Sequence, residues 1–239
     1  MQVAQRKNIR AIMRLLKMKG YKVFDRPYEL NIVGIRKDNN VPNKFDDTLY
    51  VFWKTDSGSW EGKYYTITTD PGTYWLKNPM QDLGAAILKE GQYENAYKLG
   101  LHRGEYKALV QQKPVTIYRD YDRNAILDFN NGRETTGLYG INIHRSSATG
   151  TSQNVDKWSA GCQVFENGQD FANFIQLAEK HNSLYGNNFT YTLIDERAYM
   201  RMLKRRGVYV FVALGLGVAG YFIYKWYKKK WKKEIRLYW

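Results

Sequence analysis

One cysteine, three histidines and five prolines stand in a chain of 239 residues, and each scarcity excludes something. A single thiol cannot close an internal disulfide, so a small disulfide-stapled scaffold is excluded, as is any zinc site that needs two thiolates. Glycine-rich phosphate loops, HExxH metal motifs, internal repeats and low-complexity linkers are missing too. Neither a metal nor another cofactor is therefore expected. The few prolines and the 44% hydrophobic content describe an ordered domain and not a disordered tail.

Charge is plentiful but unevenly placed. The net charge is +14, yet residues 197–239 hold twelve Lys or Arg against the single acid Glu234, while residues 1–196 hold 25 against 22. The body is near neutral, so the high pI does not signal a nucleic-acid-binding face. Instead the basic residues flank residues 207–224, which carry no charge and which Trp226 and Tyr227 extend toward the roughly 20 residues that cross a bilayer. Tyr209, Tyr221, Tyr224, Trp226 and Tyr227 lie toward the ends of this stretch, where aromatic rings favour the lipid–water interface. Ala213, Gly215, Gly217 and Ala219 permit close helix approach. The expectation is a transmembrane helix over 207–227 in a lipid bilayer, with a basic juxtamembrane segment at 196–206 and a basic tail at 228–239. Five cations before the span and seven after it favour a cytoplasmic C-terminus only slightly. The first twenty residues carry no secretory signal, so orientation stays open. The lysines of residues 228–233 offer a weak contact to nucleic acid.

Ile9, Ile12, Met13 and Leu16 fall at helical spacing before Gly20, which predicts an amphipathic helix over 1–20 docked on the body. Residues 21–195 turn to short apolar or alternating runs, broken by turn signals such as Asp70-Pro71-Gly72 and Asn130-Asn131-Gly132. Strands are expected at 30–35, 49–54, 64–69, 85–88, 115–118, 140–144, 163–165 and 189–194. One helix is expected from Phe171, Phe174, Ile175 and Ala178, with His181 as its C-terminal cap. The class is mainly β, a small sandwich or barrel.

Chemistry concentrates between Tyr139 and Phe165. In a strand over 140–144, Asn142 and His144 share the face opposite Ile141 and Ile143, and the return through Trp158-Ser159-Ala160-Gly161-Cys162 can bring Cys162 beside His144. A Cys-His pair suits acyl transfer: imidazole takes the thiol proton, the thiolate attacks a carbonyl, and the histidine protonates the leaving amine. The bland alternative is a buried, inert cysteine near a hydrogen-bonded histidine. Asp156 or a backbone carbonyl would orient the imidazole. His102 either lines a cleft or makes a structural turn bond, and Tyr139 and Trp158 read equally as packing.

The spacing resembles the L,D-transpeptidase catalytic domain, the YkuD-like family, whose motif is a histidine, about 14 to 17 residues, Ser or Thr, one residue, Gly and Cys. Here His144 precedes Ser159 by 14 intervening residues, followed by Ala160, Gly161 and Cys162. The resemblance spans about residues 109–194. The order TTDPGTYWL, LHRGEYKALVQ, YRD, GINIHR and WSAGCQVF is similar to bacteriophage proteins that carry this domain. It implies a β-sandwich with a flanking helix, Cys162 as nucleophile, His144 as general base, and the Gly161 and Cys162 amides as oxyanion hole. Arg145, Ser159, Trp158, Tyr139 and His102 would contact the substrate, the stem peptide of peptidoglycan. The bond implied is the one at the L-centre of meso-diaminopimelate before D-Ala, with a thioester resolved by amine or water. A phage context favours hydrolysis over cross-linking, a place in the virion or host membrane, and other virion proteins as partners. Ala160 and Val164 depart from the family, which often has His and a polar residue there, so a catalytically inactive virion or wall-binding membrane protein is the alternative.

Overall fold

The computed structural model describes residues 2–129 and 133–204. The expected 207–227 span, the 228–239 tail and the turn at 130–132 lie outside the described residues. Among the described residues no helix is long and apolar enough to cross a membrane.

The chain opens with α1 (Gln2–Met18). Ile9, Ala11, Ile12, Leu15 and Leu16 form its buried face, which packs on a strand containing Gly62, where a Cβ would lie 3.1 Å from Ile9 Cδ1 and 2.8 Å from the Val51 carbonyl oxygen. The helix stops at Gly20, whose φ of +74° a side chain would resist. The Gly20 N–H donates to the Lys17 carbonyl and the Tyr21 N–H to that of Leu16, at 3.1 and 2.9 Å, the pair of bonds that closes a glycine-capped helix.

Eight strands then form a closed barrel: β1 (Asn31–Arg36), β2 (Asp47–Lys54), β3 (Trp60–Thr68), β5 (Gly91–His102), β6 (Tyr106–Gln111), β9 (Ile143–Arg145), β10 (Gln163–Phe165) and β11 (Phe189–Asp195). Three more, β4 (Ala85–Leu88), β7 (Val115–Asp120) and β8 (Glu134–Gly137), make a separate antiparallel sheet. The mainly β class holds, and of the sandwich or barrel expected from the strand pattern it is the barrel that forms, not the β-sandwich that the resemblance implied. The cause is long-range: β1 pairs antiparallel with β2 and also parallel with β11, whose paired residues lie 159 positions later (Ile32 with Tyr191, Arg36 with Asp195), so the first and last strands share an edge and none of the eight is left open.

The barrel is filled from within by Tyr97, Tyr191, Phe165 and Phe189, all almost fully buried, with Tyr191 donating its hydroxyl hydrogen to Gln163 Oε1 at 2.8 Å. The helix α3 (Gly168–Tyr185) covers one side through the predicted stripe Phe171, Phe174, Ile175 and Ala178. Two short helices, α2 (Thr73–Lys77) and α4 (Glu196–Lys204), were not expected; α4 takes up most of the basic juxtamembrane segment. His181 is not the cap of α3. It is buried, accepting the Leu30 N–H at Nδ1 and donating from Nε2 to the Asn188 carbonyl, at 3.1 and 3.2 Å. The helix ends four residues later at Tyr185 and is capped by Gly186, whose N–H reaches the Asn182 carbonyl.

At one end of the barrel a cation is buried. Arg36 pairs with Asp70 at 2.9 Å and donates to Thr69 Oγ1, the Thr69 carbonyl and the Leu88 carbonyl. Asp47 accepts from the Lys37 N–H and from the N–H and hydroxyl of Thr69. Together they fix residues 69–72. Gly72 in turn donates its N–H to the Ser159 carbonyl and lies so close to Asp156 that a Cβ there would meet its carbonyl at 2.0 Å. The charged cluster thus sets the floor on which the cysteine loop rests.

Candidate active site

Strands β9 and β10 run parallel, pairing Ile143 with Gln163 and His144 with Val164. Alternation sends Ile143 and Phe165 into the barrel core and turns His144, Cys162 and Val164 to the opposite face. Cys162 and Val164 pack there with Phe45 and Val155. Register sets Val164 beside His144, with Cys162 two residues earlier, just before β10 begins. The β5–β6 hairpin delivers two more groups. Its turn has φ of +52° at Arg103 and +77° at Gly104, with the Glu105 N–H donating to the His102 carbonyl, the backbone of a type I′ turn. Its strand ends bring His102 and Tyr106 against His144.

The imidazole is oriented by backbone. His144 Nδ1 lies 2.8 Å from the Arg145 carbonyl oxygen, which can only accept, so the proton sits on Nδ1 and Nε2 carries the lone pair. The Tyr106 hydroxyl donates to the same carbonyl at 3.3 Å. His102 stacks on His144 with ring centroids 4.0 Å apart, and its Nδ1 accepts from the Asn142 side-chain amide at 3.1 Å. Asp156 takes no part. It hydrogen-bonds Asn43 at 2.9 Å. The thiol of Cys162 has its own partners, accepting from the Asn142 N–H and donating to the Gly140 carbonyl, both at 3.4 Å.

Burial sets the protonation states. It pushes the Cys162 thiol up to about 11, against the pull of the Asn142 N–H. Burial, reinforced by His102, pushes His144 down to about 3. His102 is lowered for the same first reason, with Arg103 adding to it. At neutral pH the site thus holds a thiol and a neutral imidazole, not a thiolate–imidazolium pair. Such a pair works by general base catalysis, in which the proton moves as the sulfur attacks.

Two expected roles change. Gly161 was assigned an oxyanion-hole amide, but its N–H donates to Ser159 Oγ at 3.1 Å, leaving the Cys162 N–H as the amide of that pair not engaged in this bond. The need for glycine is steric: φ is +123°, and a Cβ would come within 2.3 Å of the Ala86 carbonyl oxygen. Ser159, expected to touch substrate, is fully buried. Its hydroxyl donates to the Cys162 carbonyl at 2.8 Å while accepting from Gly161, a staple that shapes the turn before the nucleophile.

Two clefts hold the exposed candidate residues. One, of about 270 Å³, is lined by His102, His144 and the half-exposed Trp158, and carries Arg103, Arg145 and Lys157 against Glu105. Arg145 lies 4.1 Å over the Tyr106 ring. The other, of about 200 Å³, reaches Ala160 and includes Tyr139 and the buried Arg119, whose guanidinium lies 5.0 Å from the Tyr139 ring centre. Tyr139, Trp158, Arg145 and His102 thus sit at cleft walls, divided between the two. Sequence reasoning missed Tyr106, Asn142 and Arg119. Only Asn142 had a signal, its alternation with His144. Comparisons of the chain with protein-family models, curated proteins and solved structures find no match.

Proposed function

We propose that the protein is a membrane-anchored, phage-type enzyme that cleaves the stem peptide of peptidoglycan by Cys-His acyl transfer, with hydrolysis favoured over cross-linking. The observation that supports this reading is the parallel pairing of β9 with β10, which sets Val164 beside His144 and leaves Cys162 two residues earlier, together with an imidazole held by the Arg145 carbonyl so that its basic nitrogen is left for proton transfer. His144 Nε2 takes the thiol proton as Sγ bonds to the scissile carbonyl carbon. The proton then passes to the leaving amine as the C–N bond breaks, and water attacks the thioester with the same imidazole as base, releasing a carboxylate. Three cations against one acid at the cleft suit a carboxylate-bearing peptide, and the apolar 207–227 stretch supplies the anchor.

The test incubates the full-length protein in detergent micelles with purified peptidoglycan and with muropeptides, and reads products by mass spectrometry. D-Ala release or stem cleavage is expected, lost in Cys162→Ala and His144→Gln. One observation favours a second reading, an inactive virion or wall-binding protein: thiol and imidazole are both held neutral and each is bonded to other partners. Absence of product, with equal wall pelleting of wild type and Cys162→Ala, would replace the first reading by the second.

A further inference from the structure

The segment after β7 reads Asp120-Tyr121-Asp122-Arg123-Asn124-Ala125-Ile126-Leu127-Asp128, with oxygen-bearing side chains at its first, third, fifth and ninth positions. That periodicity is the one by which a loop wraps oxygen ligands around a hard cation. A search for metal ligands confined to Cys, His and HExxH patterns passes over it.

In the fold, Asp120, Asp122 and Asp128 each offer a carboxylate oxygen, and the three lie within 4.8 Å of one another. Oxygens about 2.4 Å from a Ca²⁺ ion are separated by up to about 4.8 Å, so such an ion fits among them. A second observation is independent of the clustering. Asp120 is fully buried; its Oδ2 accepts the Asp128 N–H at 3.1 Å, but its buried Oδ1 has no hydrogen-bond partner among the described residues. An unpaired buried carboxylate oxygen is costly. The neighbouring cation is turned elsewhere: Arg123 reaches Asp82 at 3.9 Å. Leu127 pins the loop by packing with Leu76, Ala85 and Ile87.

We infer that the Asp120–Asp128 loop is a calcium site, with Asp120, Asp122 and Asp128 as carboxylate ligands. Ca²⁺ suits it better than Mg²⁺ because an irregular loop of carboxylates does not impose the compact octahedron that Mg²⁺ demands. With three carboxylate ligands the expected affinity lies in the weak range of about 10⁻⁴ to 10⁻³ M. The inference does not depend on the proposed activity.

Full-length protein in detergent micelles, stripped with EGTA, is titrated with Tb³⁺ while Tyr121 and Tyr118 are excited, then with Ca²⁺ as competitor, and its melting temperature is followed against Ca²⁺ alone. Saturable Tb³⁺ emission, displaced by Ca²⁺ but not by equal Mg²⁺, is expected, with a melting temperature that rises with Ca²⁺. Asp122→Asn, at the exposed rim of the cluster, should weaken binding at least tenfold while keeping the fold, and Asp120→Asn should abolish it. Emission equal in wild type and both variants, or no shift in wild-type melting up to about 10 mM Ca²⁺, beyond the range of weak calcium modules, would overturn the site.

Discussion

Two of the places where the molecule buries ionisable side chains treat them in opposite ways. Beneath residues 69–72, Arg36 is charged and fully answered, by Asp70 and by three oxygen acceptors. On the β9–β10 face, the buried His144 and His102 and the half-buried Cys162 are kept neutral. Low dielectric makes an ion expensive unless it is paired, so a site meant to hold a loop still can use ions, whereas one meant to move a proton during reaction keeps its groups uncharged. The two are physically connected, since the loop held by the first carries Gly72, whose N–H supports Ser159, and Ser159 shapes the turn into Cys162.

The sharpest way to break this contrast is to remove the cation. Arg36→Ala leaves Asp70 and Asp47 without their positive partner in a buried setting, and breaking such a pair from one side costs about 3–5 kcal/mol. Unfolding of the full chain by urea should show that loss. A change below about 1 kcal/mol would mean that the two carboxyls are protonated, and the ionic description of this end would fail.

Next in size is Gly161→Ala. The substitution keeps every polar group, but φ of +123° and the Ala86 carbonyl 2.3 Å from the new methyl require the turn to move, at about 1–3 kcal/mol. Because the displaced turn carries the nucleophile, turnover should fall far more than stability. Equal activity in the variant would show that the backbone before Cys162 is adjustable and that glycine is incidental there.

The contrast also governs the pH response. His144 has a folded pKa near 3, below the ordinary value of about 6.5, so the unfolded chain takes up the proton first. Its contribution to stability is complete above about pH 6.5 and is lost as pH falls toward 3, at up to about 1.4 kcal/mol per pH unit. His102 and His181 are lowered by burial too and act in the same direction. His144→Gln should flatten the acid limb of an unfolding profile. Turnover, with imidazole neutral above about 3 and thiol protonated below about 11, should be flat between about pH 4 and 10. A bell centred near 6.5 would show an exposed, ordinary histidine.

How much of this could be read from the chain depends on whether the cause is local. The strands at Ala85–Leu88 and Gln163–Phe165 were legible to the residue because short apolar runs end at turn residues. By contrast β5 was invisible: Glu94, Asn95, Lys98 and Leu101 face solvent, so its outer face breaks the alternation. Barrel closure rests on β1 meeting β11, a contact no window of sequence contains. At the site, His144 and Cys162 stood out by spacing, since a parallel pair needs a long return. The true work of Ser159 and Gly161 did not, because a hydroxyl in a loop reads the same whether it faces substrate or its own backbone.

The smallest effect discriminates most finely. Tyr106 donates its hydroxyl hydrogen to the Arg145 carbonyl that also receives His144 Nδ1–H, and burial raises its pKa, so it remains a donor at neutral pH. Tyr106→Phe removes one neutral hydrogen bond, about 0.5–1.5 kcal/mol, yet keeps the ring beneath the Arg145 guanidinium. The imidazole stays tied by its own bond, so kcat should change by less than about tenfold and the flat pH profile should persist. If turnover collapses while the melting temperature holds, the hydroxyl touches the reacting peptide itself, and Tyr106 passes from positioning residue to catalytic residue. The neutral cluster would then contain three working groups where the proposed mechanism uses two.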